Sequence, residues 1–375
     1  MTGPGLGAPA TRSLSVRVAG LSIAMSFGPG REGLAAEAFE LWRHLIAPDP
    51  PAVPDVELTF VTGEGPVPPG ATVVAPSPTE TYALSGAITR AVLTSLIGRR
   101  ILLHAGTIDT PRLGVVVLVG PSGAGKSTAT ARLGAEGAYL SDELTIIDPD
   151  TFEVTGYPKP VSRSIPGSRA KRDVSLPSLH LMPACAGGSP DLIVLLHRDR
   201  GNGSENGPPG LERMPLASAL LRLIGQTSSL NRVPGGLAAL ARVIDSAGGA
   251  LRARYHEASE LADLLDHAPA PISEWWAEVE ACRPSHDVQP RDLMLAPFDQ
   301  ALALETGVLV LARREAGLLE GLLGVIWELL RVHGGLSLDL LQDLVAEEIG
   351  PHPDAARHVR SAADRLISGG WVIRA

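Results

Sequence analysis

The sequence predicts an α/β fold, with a small α+β lobe before the main sheet and a compact helical unit after it. Three observations carry this. Residues 114–119, Gly-Val-Val-Val-Leu-Val, form a continuous β-branched run of the kind buried on both faces of a sheet. A glycine-rich turn then leads straight into a segment of helical spacing, so strand, turn and helix alternate as in a layered α/β domain. Beyond residue 300, two short apolar runs are followed by three amphipathic stretches.

Taken in order, 14–27 alternates apolar residues as one or two strands do, 33–46 has helical spacing around Trp42, and 55–61 reads as a strand. These make the α+β lobe, residues 12–100. A Pro/Gly-rich stretch at 63–78 gives way to a helix over 81–96 and a strand at 101–104. After the 114–119 strand come a helix over 126–136 and strands at 139–140, 144–148 and 191–197. The loop 198–211 is dense in Gly, Pro and Asn. Helices over 215–226 and 236–245, a strand at 251–255 and a helix over 258–266 complete a main domain of residues 101–268, expected to have its own core. Pro269 and Pro271 break the pattern and open a linker, 269–287. Past a short helix at Trp275 and Trp276, the hairpin 300–305 and 307–312 and helices over 316–331, 337–348 and 353–368 read as a separate domain, 288–375. Ser337 and Pro353 suit helix starts, and Gly369-Gly370 is a stop signal. There is no internal repeat.

Bulk composition narrows the function classes. Hydrophobic residues at 45% against 19% charged is a globular balance. A net charge of −9 argues against nucleic acid as a partner, because affinity for a phosphate backbone comes from clustered Lys and Arg. The two cysteines, Cys185 and Cys282, have no metal-ligand spacing and imply no disulfide framework. No apolar run approaches the roughly 20 residues of a membrane span, so no membrane is expected as a partner. Residues 1–11 are Gly/Pro-rich and lack the basic start and apolar stretch of a signal peptide, so the cytoplasm is the expected location.

The chemistry concentrates at Gly120-Pro-Ser-Gly-Ala-Gly-Lys-Ser-Thr128, a G-x-x-x-x-G-K-[ST] sequence after a buried strand and at a helix start. Glycines at 120, 123 and 125, with Ser122 and Ala124 between, let successive backbone N–H groups face an anion, and the helix N-terminus adds positive potential. In that motif Lys126 reaches the terminal phosphates and the Ser127 hydroxyl, followed by Thr128, serves Mg2+. Only Lys126, Lys159 and Lys171 are lysines among 32 basic residues. Past the glycine that ends the helix, Asp142 and Glu143 stand side by side at a strand end. Two such acids divide the labour in phosphoryl transfer, one holding metal and one accepting a proton. Lys159, Arg163, Arg169, Lys171 and Arg172 are candidates to clamp a triphosphate or an acidic acceptor, with a solvated basic loop as the alternative.

His104-Ala-Gly, a strand, Gly-x-Ser-Gly-x-Gly-Lys-Ser, a helix ending in Gly and two adjacent acids follow the order seen in HPr kinase/phosphorylase and its paralogues. The chain resembles that family closely over 104–148 and in element order elsewhere in 14–266. The resemblance implies a P-loop sheet related to phosphoenolpyruvate carboxykinase, ATP or GTP with Mg2+ as cofactors, and a serine hydroxyl as acceptor. It also implies that Lys126 stabilises the transferring group, Ser127 and Asp142 serve the metal, Glu143 is the general base, and His104 lies beside the phosphates. Arg213 stands roughly where the family has a catalytic arginine. Relatives form rings, so a homo-oligomer is compatible. Two departures matter. The family has two aspartates where this chain has Asp142 and Glu143, which leaves the base open between them. Its later Glu-x-Arg-Gly has no counterpart in the basic stretch 157–173, which removes support for the reverse reaction.

Residues 288–375 resemble PqqD-like peptide-recognition domains, through the 300–312 hairpin, the helix Gly317-Leu-Leu-Glu-Gly-Leu-Leu-Gly-Val-Ile-Trp-Glu-Leu-Leu330, and the closing Ala362-Ala-Asp-Arg-Leu-Ile-Ser-Gly-Gly-Trp-Val-Ile373. That resemblance implies a winged-helix-like domain that takes the leader of a ribosomally made precursor peptide as an added strand. Arg357, Arg360 and Arg365 are then candidate contacts for an acidic leader. The acidic balance of 291–375 counts against a DNA-binding winged helix. The combined expectation is a kinase that phosphorylates Ser, before Thr, on a precursor peptide. A small-molecule kinase and a non-catalytic, ATP-switched peptide chaperone are the alternatives.

Overall fold

A computed structural model describes residues 12–64, 67–168, 170–199, 208–280 and 292–375. Residues 1–11, Arg169, Cys282, most of the 198–211 loop and the junction 281–291 lie outside the described residues. The architecture is mixed α/β, and no helix among the described residues is long and apolar enough to cross a membrane.

The opening lobe is a four-stranded sheet in the order Arg12–Val18, Leu21–Phe27, Val56–Val61, Thr72–Val73. Its first pair is an antiparallel hairpin and its later pairs are parallel. Helices α1 (Glu32–Trp42) and α2 (Glu80–Leu96) cover it, and Trp42, Met25, Phe60 and Ile88 are fully buried between them. The same core takes in Leu102, Leu144, Ile146 and Tyr157 from the next unit, so helix α2 is a shared wall and not a boundary.

The main sheet has seven strands in the order Met182–Pro183, Ala138–Ser141, Ala105–Thr110, Gly114–Val119, Leu192–Arg198, Ala250–Tyr255, Gly210–Arg213. Strands 114–119, 192–198 and 250–255 run parallel, while 105–110 and 210–213 are antiparallel to their neighbours. Along this sheet come α3 (Lys126–Leu133), α4 (Leu216–Ile224), α5 (Gly236–Ser246) and α6 (Glu260–Asp266). Alternation sorts them. Val116, Leu118, Val194 and Leu196 face α3 and α6, whereas Val115, Val117, Ile193 and Leu195 face α4 and α5.

The C-terminal unit opens with a four-stranded antiparallel sheet in the order Trp276–Glu278, Gln300–Leu304, Gly307–Ala312, Glu315–Glu320. Helices α7 (Leu322–His333), α8 (Leu338–Ile349) and α9 (Ala355–Ser368) follow. Ala301, Val308, Val310 and Leu319 face these helices. Leu302, Leu304, Leu309 and Leu311 face the other way, into the core of α4 and α5. The two central strands of the C-terminal sheet are therefore buried on both faces, and the α4–α5 core of the main domain is shared with them.

Several local expectations change for the same kind of reason. Residues 315–320 form a strand where the sequence reads as the start of a helix, because apolar residues stand on both of its faces, Ala316 and Leu318 on one and Leu319 on the other, and leave no alternation to distinguish it. Trp276 lies in a strand, its indole donating to Asp245 at 2.6 Å. The basic stretch expected as a loop is in part the hairpin Val161–Ser164 with Lys171–Val174. Residues 105–110 and 210–213 are additional strands of the main sheet.

Candidate active site

The strand Gly114–Val119 delivers the glycine-rich loop to the sheet's carboxyl end, the place where open α/β sheets bind ligands. Gly123 and Gly125 have φ of 83° and 93°. A side chain at Gly125 would in addition put a Cβ 2.8 Å from the Tyr255 hydroxyl, which donates to the Ala124 carbonyl at 2.6 Å. Turns of this kind aim backbone N–H groups at an anion. Helix α3 starts at Lys126, a residue 7% exposed whose ammonium spans the loop, donating to the carbonyls of Gly120 at 2.6 Å and Pro121 at 3.3 Å. Burial lowers this lysine from its ordinary value and Lys171 adds to the effect, against Asp142 and Glu143, which raise it. Ser127 and Thr128 follow in the first turn.

The acid pair sits at the end of the strand Ala138–Ser141, where the Ser141 hydroxyl accepts from the backbone N–H of Glu143 and Leu144 and fixes the turn. Asp142 is 4% exposed, and the Tyr139 hydroxyl donates to its Oδ1 at 2.9 Å. Burial, reinforced by Asp142, pushes the Tyr139 phenol well above its ordinary value. Glu143 is the more accessible acid. Lys159, 1% exposed, reaches Asp142 Oδ1 at 3.5 Å and Glu143 Oε2 at 3.1 Å. Burial works against its charge, but Asp142, Glu143 and Asp173 outweigh that and hold it above the usual lysine value.

His104 caps the strand Ile101–Leu103 with its N–H donating to the Gln226 carbonyl at 2.7 Å. Its imidazole is lowered by burial and by Lys126, against Glu143 and Asp142. Four of the sequence candidates thus lie near one another, with Asp142 and Glu143 both acting on His104 and Lys126.

Others fall elsewhere. Arg213 donates its guanidinium to the carbonyls of Gly249, Pro269 and Ala270 at 2.9 to 3.1 Å, which braces the edge strand against the segment after α6, away from the acid pair's contacts. Lys159 faces the acids and not a phosphate. Arg357, Arg360 and Arg365 lie exposed on α9, with Arg357 paired to Asp354 at 3.4 Å, and they take no part in the loop site. The reading also missed a cleft beside the loop, where residues 120–124 meet His197, Arg198, Arg222, Gln226 and Arg252. Nothing local signals it, since these side chains come from three elements far apart in sequence.

Among the described residues no group of three or more His, Cys, Asp or Glu is placed to hold a metal by itself. Two carboxylates and the Ser127 hydroxyl are nonetheless hard oxygen donors of the sort Mg2+ uses when phosphate oxygens and water complete its shell. The residues present fit Mg2+ with a nucleotide, not a protein-only cage.

No family model and no curated protein matches this chain. Among solved structures, the Hpr(Ser) kinase/phosphatase from Coxiella burnetii matches at 13% identity, covering 44% of this chain and 91% of that one, with a TM-score of 0.26. So low a score leaves the functional reading to rest on the site itself.

Proposed function

We propose that this chain is a kinase that moves the terminal phosphoryl group of ATP or GTP to a hydroxyl, Ser before Thr, on a ribosomally made precursor peptide. The observation that carries the reading is the meeting of the glycine-rich loop, with its buried Lys126, and the Asp142–Glu143 pair at one end of one sheet. Loop residues Gly120, Ser122, Gly123, Ala124, Gly125, Lys126, Ser127 and Thr128 would hold the triphosphate, and Ser127 with Asp142 would hold Mg2+, which neutralises charge on the phosphates when bound. Lys126 stabilises the charge that develops on the transferring group. Glu143, the more exposed acid, takes the proton of the acceptor hydroxyl. As that oxygen bonds to phosphorus, the bridging P–O bond breaks and the nucleoside diphosphate leaves with the electron pair.

The peptide half of the proposal rests on the C-terminal unit. Glu315–Glu320 ends its sheet, and an outer strand offers backbone groups to an extended peptide. Arg357, Arg360 and Arg365, exposed on α9 of the same unit, supply positive charge for an acidic leader. Mass spectrometry of candidate precursor peptides incubated with Mg-ATP and the full chain tests the reading. A phosphate on a peptide hydroxyl supports it; phosphate only on a metabolite, or ATP-dependent peptide binding without transfer, replaces it. Fluorescence anisotropy of a labelled leader with the full chain and with an Arg360→Glu, Arg365→Glu variant tests the capture step.

A further inference from the structure

Among the described residues, the most deeply buried charged side chain lies outside the glycine-rich motif. Lys159 lies in the segment Tyr157-Pro-Lys-Pro, which is pinned on every side. Tyr157 donates its N–H to the Leu140 carbonyl at 2.8 Å, its hydroxyl meets Thr89 at 2.8 Å, and the Pro158 carbonyl accepts from His44 at 2.6 Å. The ammonium this segment presents is almost completely buried and makes four polar contacts. They are Asp142 Oδ1 at 3.5 Å, Glu143 Oε2 at 3.1 Å, the Pro160 carbonyl at 3.1 Å and the Ser162 hydroxyl at 3.3 Å.

A phosphate clamp is the wrong role for such a group. Its donors point into protein, while Lys126 lies in the loop itself and Lys171, exposed on the hairpin, is near enough to perturb it. A buried ion pair is also a poor source of stability, because desolvating the ions offsets their attraction. What Lys159 does is bridge the two acids on which the transfer reaction depends. A third carboxylate, Asp173, stands behind it, 8% exposed and bonded to the Ser162 hydroxyl at 2.7 Å. Without Lys159 the paired charges of Asp142 and Glu143 would stand uncompensated at a site that must also admit a polyanionic triphosphate. A cation beside them offsets that charge, and a divalent ion held by carboxylates is one way to supply it.

We infer that Lys159 is a positioning residue that holds Asp142 and Glu143 in one pose and occupies, as a fixed ammonium, the place between them that a second divalent ion would otherwise take. The inference deepens the kinase reading and rests on it for the purpose of the acids. Its consequence is a site that takes one divalent ion, together with the nucleotide, and none at the acid pair alone.

Manganese binding followed by electron paramagnetic resonance tests this in the full chain. The wild-type protein should bind one Mn2+ per chain with a non-hydrolysable ATP analogue and none tightly without it. Two ions per chain, or tight nucleotide-free binding, overturns the inference. Lys159→Met should create a nucleotide-free Mn2+ site about tenfold or more tighter than any in the wild type, a change of the size seen when a ligand's immediate neighbours are altered. Adding Asp142→Asn should abolish that site, and Lys159→Arg, which keeps the charge, should not create it. A folded Lys159→Met protein with wild-type Mn2+ affinity overturns the inference. If Lys159→Met does not fold, the wild-type stoichiometry decides. If the wild type binds no nucleotide, the kinase reading falls, and the nucleotide-free comparison of wild type with Lys159→Met still decides the role of Lys159.

Discussion

Removing the C-terminal unit tests how the protein is held together. A chain ending at residue 287 loses Leu302, Leu304, Leu309 and Leu311, which are 1%, 8%, 0% and 1% exposed and pack on α4 and α5. Burying a leucine contributes about 2 kcal/mol, so this face alone represents about 8 kcal/mol. The truncation also uncovers their partners on the main domain and leaves the strand Trp276–Glu278 without its neighbour, so the full loss is larger. A whole domain is typically stable by only about 5–15 kcal/mol. The truncated chain should therefore aggregate or melt far below the full chain, and its loss of nucleotide binding would reflect unfolding. Thermal unfolding by circular dichroism, beside binding of a fluorescent ATP analogue, measures both. A point variant scales the effect: Leu309→Ala should cost about 2–5 kcal/mol in denaturant unfolding, with nucleotide affinity kept in the folded fraction. A 1–287 chain that melts within a few degrees of the full one and binds nucleotide normally would refute the shared core.

Lys126→Ala should lower phosphoryl transfer by about a thousandfold, since a preorganised charge on the transferring group contributes about 4 kcal/mol, while loss of its two loop hydrogen bonds costs the fold about 1–3 kcal/mol. Wild-type turnover in that variant removes the phosphate-site assignment. Glu143→Gln should lose turnover with Mg-ATP affinity retained, and Asp142→Asn should weaken Mg-ATP binding itself; the opposite pattern reverses the two roles. Gly106→Ala would place a Cβ 2.2 Å from the hydroxyl oxygen of Thr130, which is fully buried, and should cost about 1–3 kcal/mol of stability, recovered in a Gly106→Ala, Thr130→Ala double variant. His44 is held below its ordinary value of 6.5 by burial, against its bond to Pro158. The unfolded chain then takes up the proton first, so stability present above that pH is lost as pH falls through it. His44→Gln should flatten the decline of the thermal midpoint between about pH 7 and about pH 5.

The sequence by itself determined the glycine-rich loop, its strand and its helix, because a phosphate nest is built from consecutive backbone groups and its residue types are set by local conformation. It also placed Asp142 and Glu143 near that loop, since two acids ending a strand of the same sheet share its carboxyl end. Strands and helices with clear periodicity, such as 21–27, 80–96 and 355–368, were legible for the same reason. Only the tertiary structure decided what surrounds the acids. Lys159 reads as one of five cations in a basic stretch, and nothing in Tyr-Pro-Lys-Pro says that the chain folds back across Leu140 and Thr89 to bury it against Asp142. Nothing in Leu-Glu-Arg-Met says that the Arg213 guanidinium donates to three carbonyls of 249–270. The strand Glu315–Glu320 escaped because apolar residues on both of its faces erase the alternation that marks a strand, and the second buried face of the C-terminal sheet escaped because its partners on α4 and α5 lie far away in sequence. Local chemistry is written in neighbouring residues, whereas the partners of a charge and the second face of a sheet are set by segments far away along the chain.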